Sequence, residues 1–307
     1  MLWRNDNAII VGKHQNTFAE LDEDYVRRHG IRVVRRLSGG GAVYHDLGNL
    51  NYTFITDASG SGRMDFARFC LPVVRTLRSL GVAAEINGRN DMTVSGRKFS
   101  GSAQYLREGR VMHHGTLLFD SDLTVLEKAL RVDEEKLRAK GVRSVRSRVT
   151  NIREHLSGDI SMSAFRRTLL EQVREDNNGK AFTLTDADMA EADRLKAERY
   201  GTYAWNWGAS PNATLCRRRR FDGCGTVEAY IRLERGLVAH IDFRGDFFSL
   251  DEPELLAARL AGIPHTPESY AGAVTEEAVS RTFVGLHAGE LVSLLCDEEG
   301  TREGAQA

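Results

Sequence analysis

The apolar positions of this chain change period several times, and the changes mark its elements. Up to residue 56 the pattern is short and strand-like. Val33, Val34, Tyr44, Tyr52, Phe54 and Ile55 are β-formers on either side of Gly39-Gly40-Gly41, so the glycine run is expected to link one strand to another at a sheet edge. Over 65–80 the period becomes helical, with Phe66, Phe69, Cys70, Val73, Val74, Leu77 and Leu80 on one stripe. Pro72 is expected to kink that helix or to mark its start, and Gly81 to end it. Strands are predicted over 82–86, 90–94, 98–106 and 116–120, and Asp122 is expected to cap a helix over 123–130. Helices follow over 163–175 and 186–199. The stretch 208–220, with Pro211, small polar residues and Arg217 to Arg220, reads as an interdomain linker, although the arginines could equally open a strand. Beyond it, Val227 to Leu233 and Leu237 to Phe243 alternate across Arg235-Gly236, a hairpin signal. Apolar helices over 252–261 and 275–296 complete a small α+β unit.

Composition narrows the function classes. The chain has 307 residues, room for one large domain or two, and a formal net charge of −1. No global field is available to capture nucleic acid or an anionic membrane. The apolar runs fall far short of the ~20 residues that span a bilayer, and the first residues lack a basic segment followed by an apolar one. Cys70, Cys216, Cys224 and Cys296 lie far apart without CxxC spacing, so free thiols in a reducing cytoplasm are expected.

Candidate chemistry gathers in three places. Three consecutive glycines remove every Cβ that would keep a ligand off the backbone, and their N–H groups could converge on an anion, with Arg35 and Arg36 placed to clamp a phosphate or carboxylate. A bare glycine turn is the alternative, but it leaves Arg35, Arg36, Ser38 and Tyr44-His45-Asp46 unexplained. No Gly-Lys-Ser/Thr follows, and Tyr44 stands where a dinucleotide fingerprint needs glycine, so any nucleotide is held by another geometry. Lys98, between two strand segments, could be a solvated edge residue, yet Gly96 and Ser100-Gly101-Ser102-Ala103 around it favour close approach by a ligand. Asn90-Asp91 fits a simple Asx turn, His45 and His114 fit structural histidines without a zinc ligand set, and Lys140, Arg143, Arg146 and Arg148 form a basic loop.

Four segments, in this order, resemble the lipoate–protein ligase A family: Arg35 to Asn49 (RRLSGGGAVYHDLGN), Gly88 to Gln104 (GRNDMTVSGRKFSGSAQ), His113 to Phe119 (HHGTLLF) and Lys140 to Ile152 (KGVRSVRSRVTNI). Trp205-Asn206-Trp207-Gly208 is similar as well. The resemblance implies an α+β fold, a class II synthetase- and biotin-ligase-like mixed, largely antiparallel sheet flanked by helices. It divides the chain into a lipoate- and ATP-binding domain over 1–211 and a small α+β accessory domain over 212–307. It implies ATP-dependent activation of lipoate to lipoyl-AMP, then transfer to a lysine of the apo lipoyl domains of 2-oxoacid dehydrogenase E2 subunits and of glycine cleavage H protein.

By the same resemblance Lys98 contacts carboxylate and phosphate together. Arg36, Gly41, Ala42, Val43, Tyr44, Asn90 and Asp91 join it at ATP or adenylate, with Asp91 also near Mg2+. Arg36, Ser38, Gly39, Gly40, His45, Ala103 and His114 join it at lipoate. Lys140, Gly141, Val142, Arg143, Ser144, Val145 and Arg146 would cover the adenylate. A cytoplasmic monomer with neither nucleic-acid nor membrane partners is implied. One departure is expected: the chain begins at what resembles a later family strand, Leu2-Trp3-Arg4-Asn5, so ~30 residues whose helix would cover apolar lipoate surface are absent. Two rivals remain. An octanoyl or lipoyl acyltransferase needs an activated thiol near the lysine, whereas Cys70 lies on a helix stripe and the other cysteines follow residue 210. A non-catalytic lipoate-binding module would not require the lysine, the arginine pair and the glycine run together.

Overall fold

A computed structural model describes residues 1–58, 65–88, 90–130, 148–177, 181–208, 215–296 and 302–303. The expected adenylate cover, Lys140 to Arg146, lies outside them. Two compact units emerge: residues 1–11, 19–35 and 42–207, and residues 12–18, 36–41 and 208–307. Two short loops thus group with the C-terminal residues, whereas the sequence divides the chain once, after 211.

The first unit holds β1 (Leu2–Trp3), β2 (Ala8–Val11), β3 (Arg32–Arg35), β4 (Val43–His45), β5 (Asn49–Asp57), β6 (Ala84–Asn87), β7 (Asp91–Val94), β8 (Arg97–Arg107) and β9 (Arg110–Leu118). Six of them form a sheet in the order β1-β5-β9-β8-β7-β6, antiparallel throughout. A smaller sheet, β3-β2-β4, pairs β2 parallel to β3 and antiparallel to β4. The unit is therefore mixed and mostly antiparallel, as the resemblance implies.

One face of the large sheet is closed by the helices Ala67–Ser79 and Met162–Asn177. Leu50, Tyr52, Phe99, Leu117 and Phe119 from the strands meet Cys70, Val73, Val74, Leu77, Phe165 and Leu169 from the helices. The helical stripe read from the sequence is the buried one because residues three and four apart share a face. Pro72 lies inside the first helix rather than at its start, and Gly81 ends it at φ 83°, with the Val82 N–H donating to the Leu77 carbonyl at 2.9 Å. Asp122 caps the helix Leu123–Ala129 by accepting from the Thr124 N–H at 2.9 Å. The predicted helix over 186–199 is α-helical over Asp186–Leu195 and then widens to a π-turn over Lys196–Tyr200. A helix at Glu23–Arg28 interrupts the strands expected before residue 56. Its signal was present in Asp22, which accepts from the Tyr25 N–H at 2.8 Å, and in the acidic first turn and basic last turn.

The second unit is built on β10 (Leu215–Phe221), β11 (Gly225–Glu234), β12 (Leu237–Gly245) and β13 (Arg302–Glu303), in the order β12-β11-β10-β13. The arginine run is a strand and not a linker, since Arg217 to Arg220 all pair with β11. The predicted hairpin is present, and Arg235 and Gly236 both take positive φ, 52° and 80°, as a two-residue turn matched to strand twist requires. The helix Pro253–Leu260 agrees with expectation. The single helix expected over 275–296 is two, Glu276–Thr282 and Ala288–Cys296, parted around Gly285 at φ 91°, and Pro267–Ala273 adds another. A period-based reading misses that break because the apolar stripe resumes after it.

Phe165 is fully buried with its ring 5.0 Å from that of Phe119. Phe165→Ala is expected to cost about 3–5 kcal/mol in urea unfolding. A loss below about 1 kcal/mol would show that the two helices do not depend on this contact.

Candidate active site

In a regular strand, residues three apart face opposite sides. Lys98 and Gly101 do not, because β8 bulges between them. Its pairing with β7 runs Asp91↔Gly101, Met92↔Ser100 and then Thr93↔Lys98, with a register shift after Met92. The extra residue, Phe99, is buried like its neighbour Ser100, so both point to the core and Lys98 returns to the face of Gly101, Asp91 and Thr93. There Lys98 Nζ lies 2.6 Å from Asp91 Oδ1, and Arg148 Nη2 donates to Asp91 Oδ2 at 3.1 Å. The three side chains are 26%, 18% and 21% exposed, so the cluster is half-screened from water. Two cations share one carboxylate, which leaves a positive balance facing an arriving anion. The Lys98 carbonyl accepts from the Thr150 N–H at 2.9 Å, and Arg97 Nη2 donates to the Val149 carbonyl at 2.8 Å, so residues 148–150 are tied to β8.

The same face continues along the sheet. Ala103 stands opposite His114 of β9, and His114 opposite Thr53 of β5. The structure therefore places Lys98, Asp91, Ala103 and His114 on one sheet face, with Gly101 and Arg148 beside Lys98 and Asp91. Asn90 is adjacent, but its amide is engaged: Nδ2 donates to the Ser102 carbonyl at 2.6 Å while the Ser102 N–H returns a bond to the Asn90 carbonyl at 2.8 Å. That fastens the residue before Asp91 to β8.

Behind the strand lies a buried polar network that the sequence reading did not single out. Tyr52 Oη is 2.9 Å from Ser102 Oγ, 3.3 Å from His113 Nε2 and 3.7 Å from Cys70 Sγ. Gln104 Nε2 lies 3.0 Å from His113 Nδ1 and also donates to the Asp65 carbonyl at 2.6 Å. An amide donor at Nδ1 leaves the ring proton on Nε2, pointing at Tyr52. Burial keeps every member neutral: it pushes the Tyr52 hydroxyl and the Cys70 thiol up, and holds His113 down at about 3. The doubled histidine of HHGTLLF was the available signal, since in a strand one of the two must face the core.

Tyr44 and His45 sit on β4. Tyr44 Oη donates to Asn7 Oδ1 at 3.2 Å, and burial, followed by Asp46, raises its hydroxyl to about 12. His45 is buried with Nδ1 3.1 Å from Asn5 Nδ2. Ala42 packs against the core of the small sheet, and Val43 pairs with Ile10. Arg35 corrects the sequence reading, which offered it as an anion clamp. It is buried, its Nε donates to the Trp205 carbonyl at 2.9 Å, and its own N–H donates to Asn206 Oδ1 at 2.8 Å, while the Trp205 indole donates to the Arg35 carbonyl at 2.9 Å.

In the second unit, the loop 36–41 is organised around Arg36. Its Nη2 donates to the carbonyls of Gly39 and Gly41, both at 2.8 Å, and its Nε to Ser38 Oγ at 3.2 Å. Gly40 sits at φ 90°, which favours glycine, and its N–H is spent on the Phe247 carbonyl at 3.3 Å rather than offered to an anion. A Cβ on Gly39 would run into the Phe247 carbonyl.

An α+β enzyme domain with a lysine, a shared carboxylate and an arginine on one sheet face is the class that fold and site define. Residues 1–174 match the lipoyl protein ligase A/B catalytic domain family, and residues 210–295 match the bacterial lipoate protein ligase C-terminus family. The chain belongs to the lipoyl protein ligase A/B family. It is 39% identical over 295 residues to lipoate–protein ligase 1 of Staphylococcus aureus, covering 96% of this chain and 90% of that one. Among solved structures it resembles P. falciparum LipL1 in complex with lipoate, with a TM-score of 0.72 and 25% identity over 89% of this chain and 80% of that one. It also resembles lipoate-protein ligase A bound with ATP, with a TM-score of 0.58 and 30% identity over 67% and 84%.

The buried His113 has a stability consequence. Its folded value, about 3, lies below the ordinary ~6.5, so between those limits the unfolded chain binds a proton that the folded chain refuses. Stability should fall as pH drops through that window, and His113→Gln should flatten the fall, read as the urea midpoint from pH 6 to 4. Equal slopes in the two proteins would place a charged histidine inside the fold.

Proposed function

We infer that this chain is an ATP-dependent lipoate–protein ligase. The carboxylate oxygen of lipoate attacks the α-phosphorus of ATP, the bond to pyrophosphate breaks, and lipoyl-AMP forms. The ε-amine of an acceptor lysine then attacks the acyl carbon, the bond to AMP breaks, and an amide remains. The observation that carries this reading is Lys98 on the bulged strand, within 2.6 Å of Asp91. A fixed ammonium offsets repulsion between a carboxylate and a phosphate that must meet, and stabilises charge developing in line between them. Arg148 supplies a second positive charge beside it. Ala103 and His114, farther along the face, suit the acyl chain and the carboxylate end of lipoate.

The remaining assignments rest on the family resemblance. Arg36 and Gly41 to Tyr44 serve the nucleotide, Ser38 to Gly40 and His45 serve lipoate, and Lys140 to Arg146 serve the adenylate, a mixed anhydride that water would destroy. Acceptors are apo lipoyl domains of E2 subunits and glycine cleavage H protein. Their lysine starts near a pKa of ~10.4 and must lose a proton before it attacks. The protein acts as a monomer in the cytoplasm. None of the four cysteines is joined in a disulfide, which suits a reducing compartment, and no helix among the described residues is long and apolar enough to cross a membrane.

Magnesium enters this reading as part of the substrate, carried on the ATP phosphates. Among the described residues no three His, Cys, Asp or Glu side chains gather into a metal site, and both Asp91 oxygens already meet cations.

Lys98→Ala should lower lipoate-dependent pyrophosphate release by ~10²–10³ while the protein stays folded. More than half of wild-type release would sink the assignment. A thioester route is disfavoured by Cys70, which points into the buried network with its thiol pushed up by burial. Serine at Cys70, Cys216, Cys224 and Cys296 together should leave ATP-dependent transfer to a lipoyl domain intact. Loss of transfer in a folded quadruple variant would favour the acyltransferase instead.

A further inference from the structure

The small residues around Lys98 invite the view that they leave room for a ligand, but at Gly101 the room is already taken. A Cβ added there would stand 2.8 Å from Lys98 Nζ and 3.0 Å from its Cε, with Asp91 Oδ1 at 3.9 Å. Those are the three nearest atoms, and two belong to the tip of a flexible side chain. The backbone of Gly101 is not left-handed, so its conformation does not demand glycine. The bulge after Lys98 is what turns the lysine and Gly101 to one face.

We propose that Gly101 is the positioning residue for Lys98: the side chain it lacks is the hollow in which the lysine ammonium rests against Asp91. This rests on the reading that Lys98 acts on carboxylate and phosphate. A methyl group at Gly101 displaces the ammonium by roughly 0.7 Å or more to reach a contact distance of ~3.5 Å. Because it meets only a side-chain tip, the fold is left standing. A shift of ~1 Å in a preorganised group costs roughly 10²-fold in rate.

The test is a double-mutant cycle of Gly101→Ala and Lys98→Ala, read as pyrophosphate release with lipoate and ATP, with melting temperatures alongside. Gly101→Ala should lower kcat by roughly 10- to 10²-fold, with KM for ATP changing far less and the melting temperature preserved. In the Lys98→Ala background the second substitution should cost nothing, since the atom it displaces is gone. Three results overturn the proposal: full activity in Gly101→Ala beside an inactive Lys98→Ala, an equal further loss when the two are combined, or a Gly101→Ala chain that does not fold. An active Lys98→Ala fails differently, because it removes the underlying role of the lysine and leaves Gly101 nothing to position.

Discussion

The active face depends on one extra residue in one strand. Without the bulge at Phe99, β8 would carry Lys98 on the side opposite Asp91 and Gly101, and the ammonium would point into the helix-covered core. Burying an unpaired charge there would cost more than the fold can spare. The bulge resolves this by sending Phe99 and Ser100 to the core in succession while restoring the lysine to the open side. The pairing of Asp91 with Gly101, the sharing of Asp91 by Lys98 and Arg148, and the tie from Lys98 to Thr150 all follow from that local change of phase.

Strand β8 thereby separates two kinds of polar chemistry. On one side three charges share partners and remain reachable by water-borne anions. On the other, Ser102 and Gln104 enter a network with Tyr52, Cys70 and His113 that burial holds neutral. Hydrogen bonds in such a setting are costly to leave unmade, so the network fixes the strand from behind. A rigid back is what a preorganised charge on the front requires.

Much of this was legible in the sequence because period and composition speak directly to it. The helical stripe over 65–80, the Asp122 cap and the hairpin across Arg235-Gly236 all follow from local rules. The rest was set by pairing. Whether Arg217 to Arg220 form a linker or a strand depends on a partner strand, and whether Arg35 meets an anion or a helix depends on residues 170 positions away. Gly101 looked like space for a ligand because a sequence shows that a side chain is missing, but not which neighbour uses the gap. Arg148 was one cation among several in a basic loop until its contact with Asp91 set it apart.

The latch between Arg35 and the short helix Tyr203–Asn206 bears on how the chain can be divided. The catalytic-family match ends at residue 174, yet the end of β3 is held from both sides by Trp205 and Asn206. As the polypeptide emerges during synthesis, β3 can pair with β2 early, but the Trp205 and Asn206 carbonyls that accept from the Arg35 guanidinium arrive only once residue 206 has been made. The end of that catalytic-family match is therefore not a boundary of folding. A piece cut at that point would lack the Trp205 and Asn206 carbonyls that hold Arg35, next to the glycine run on which the family resemblance begins.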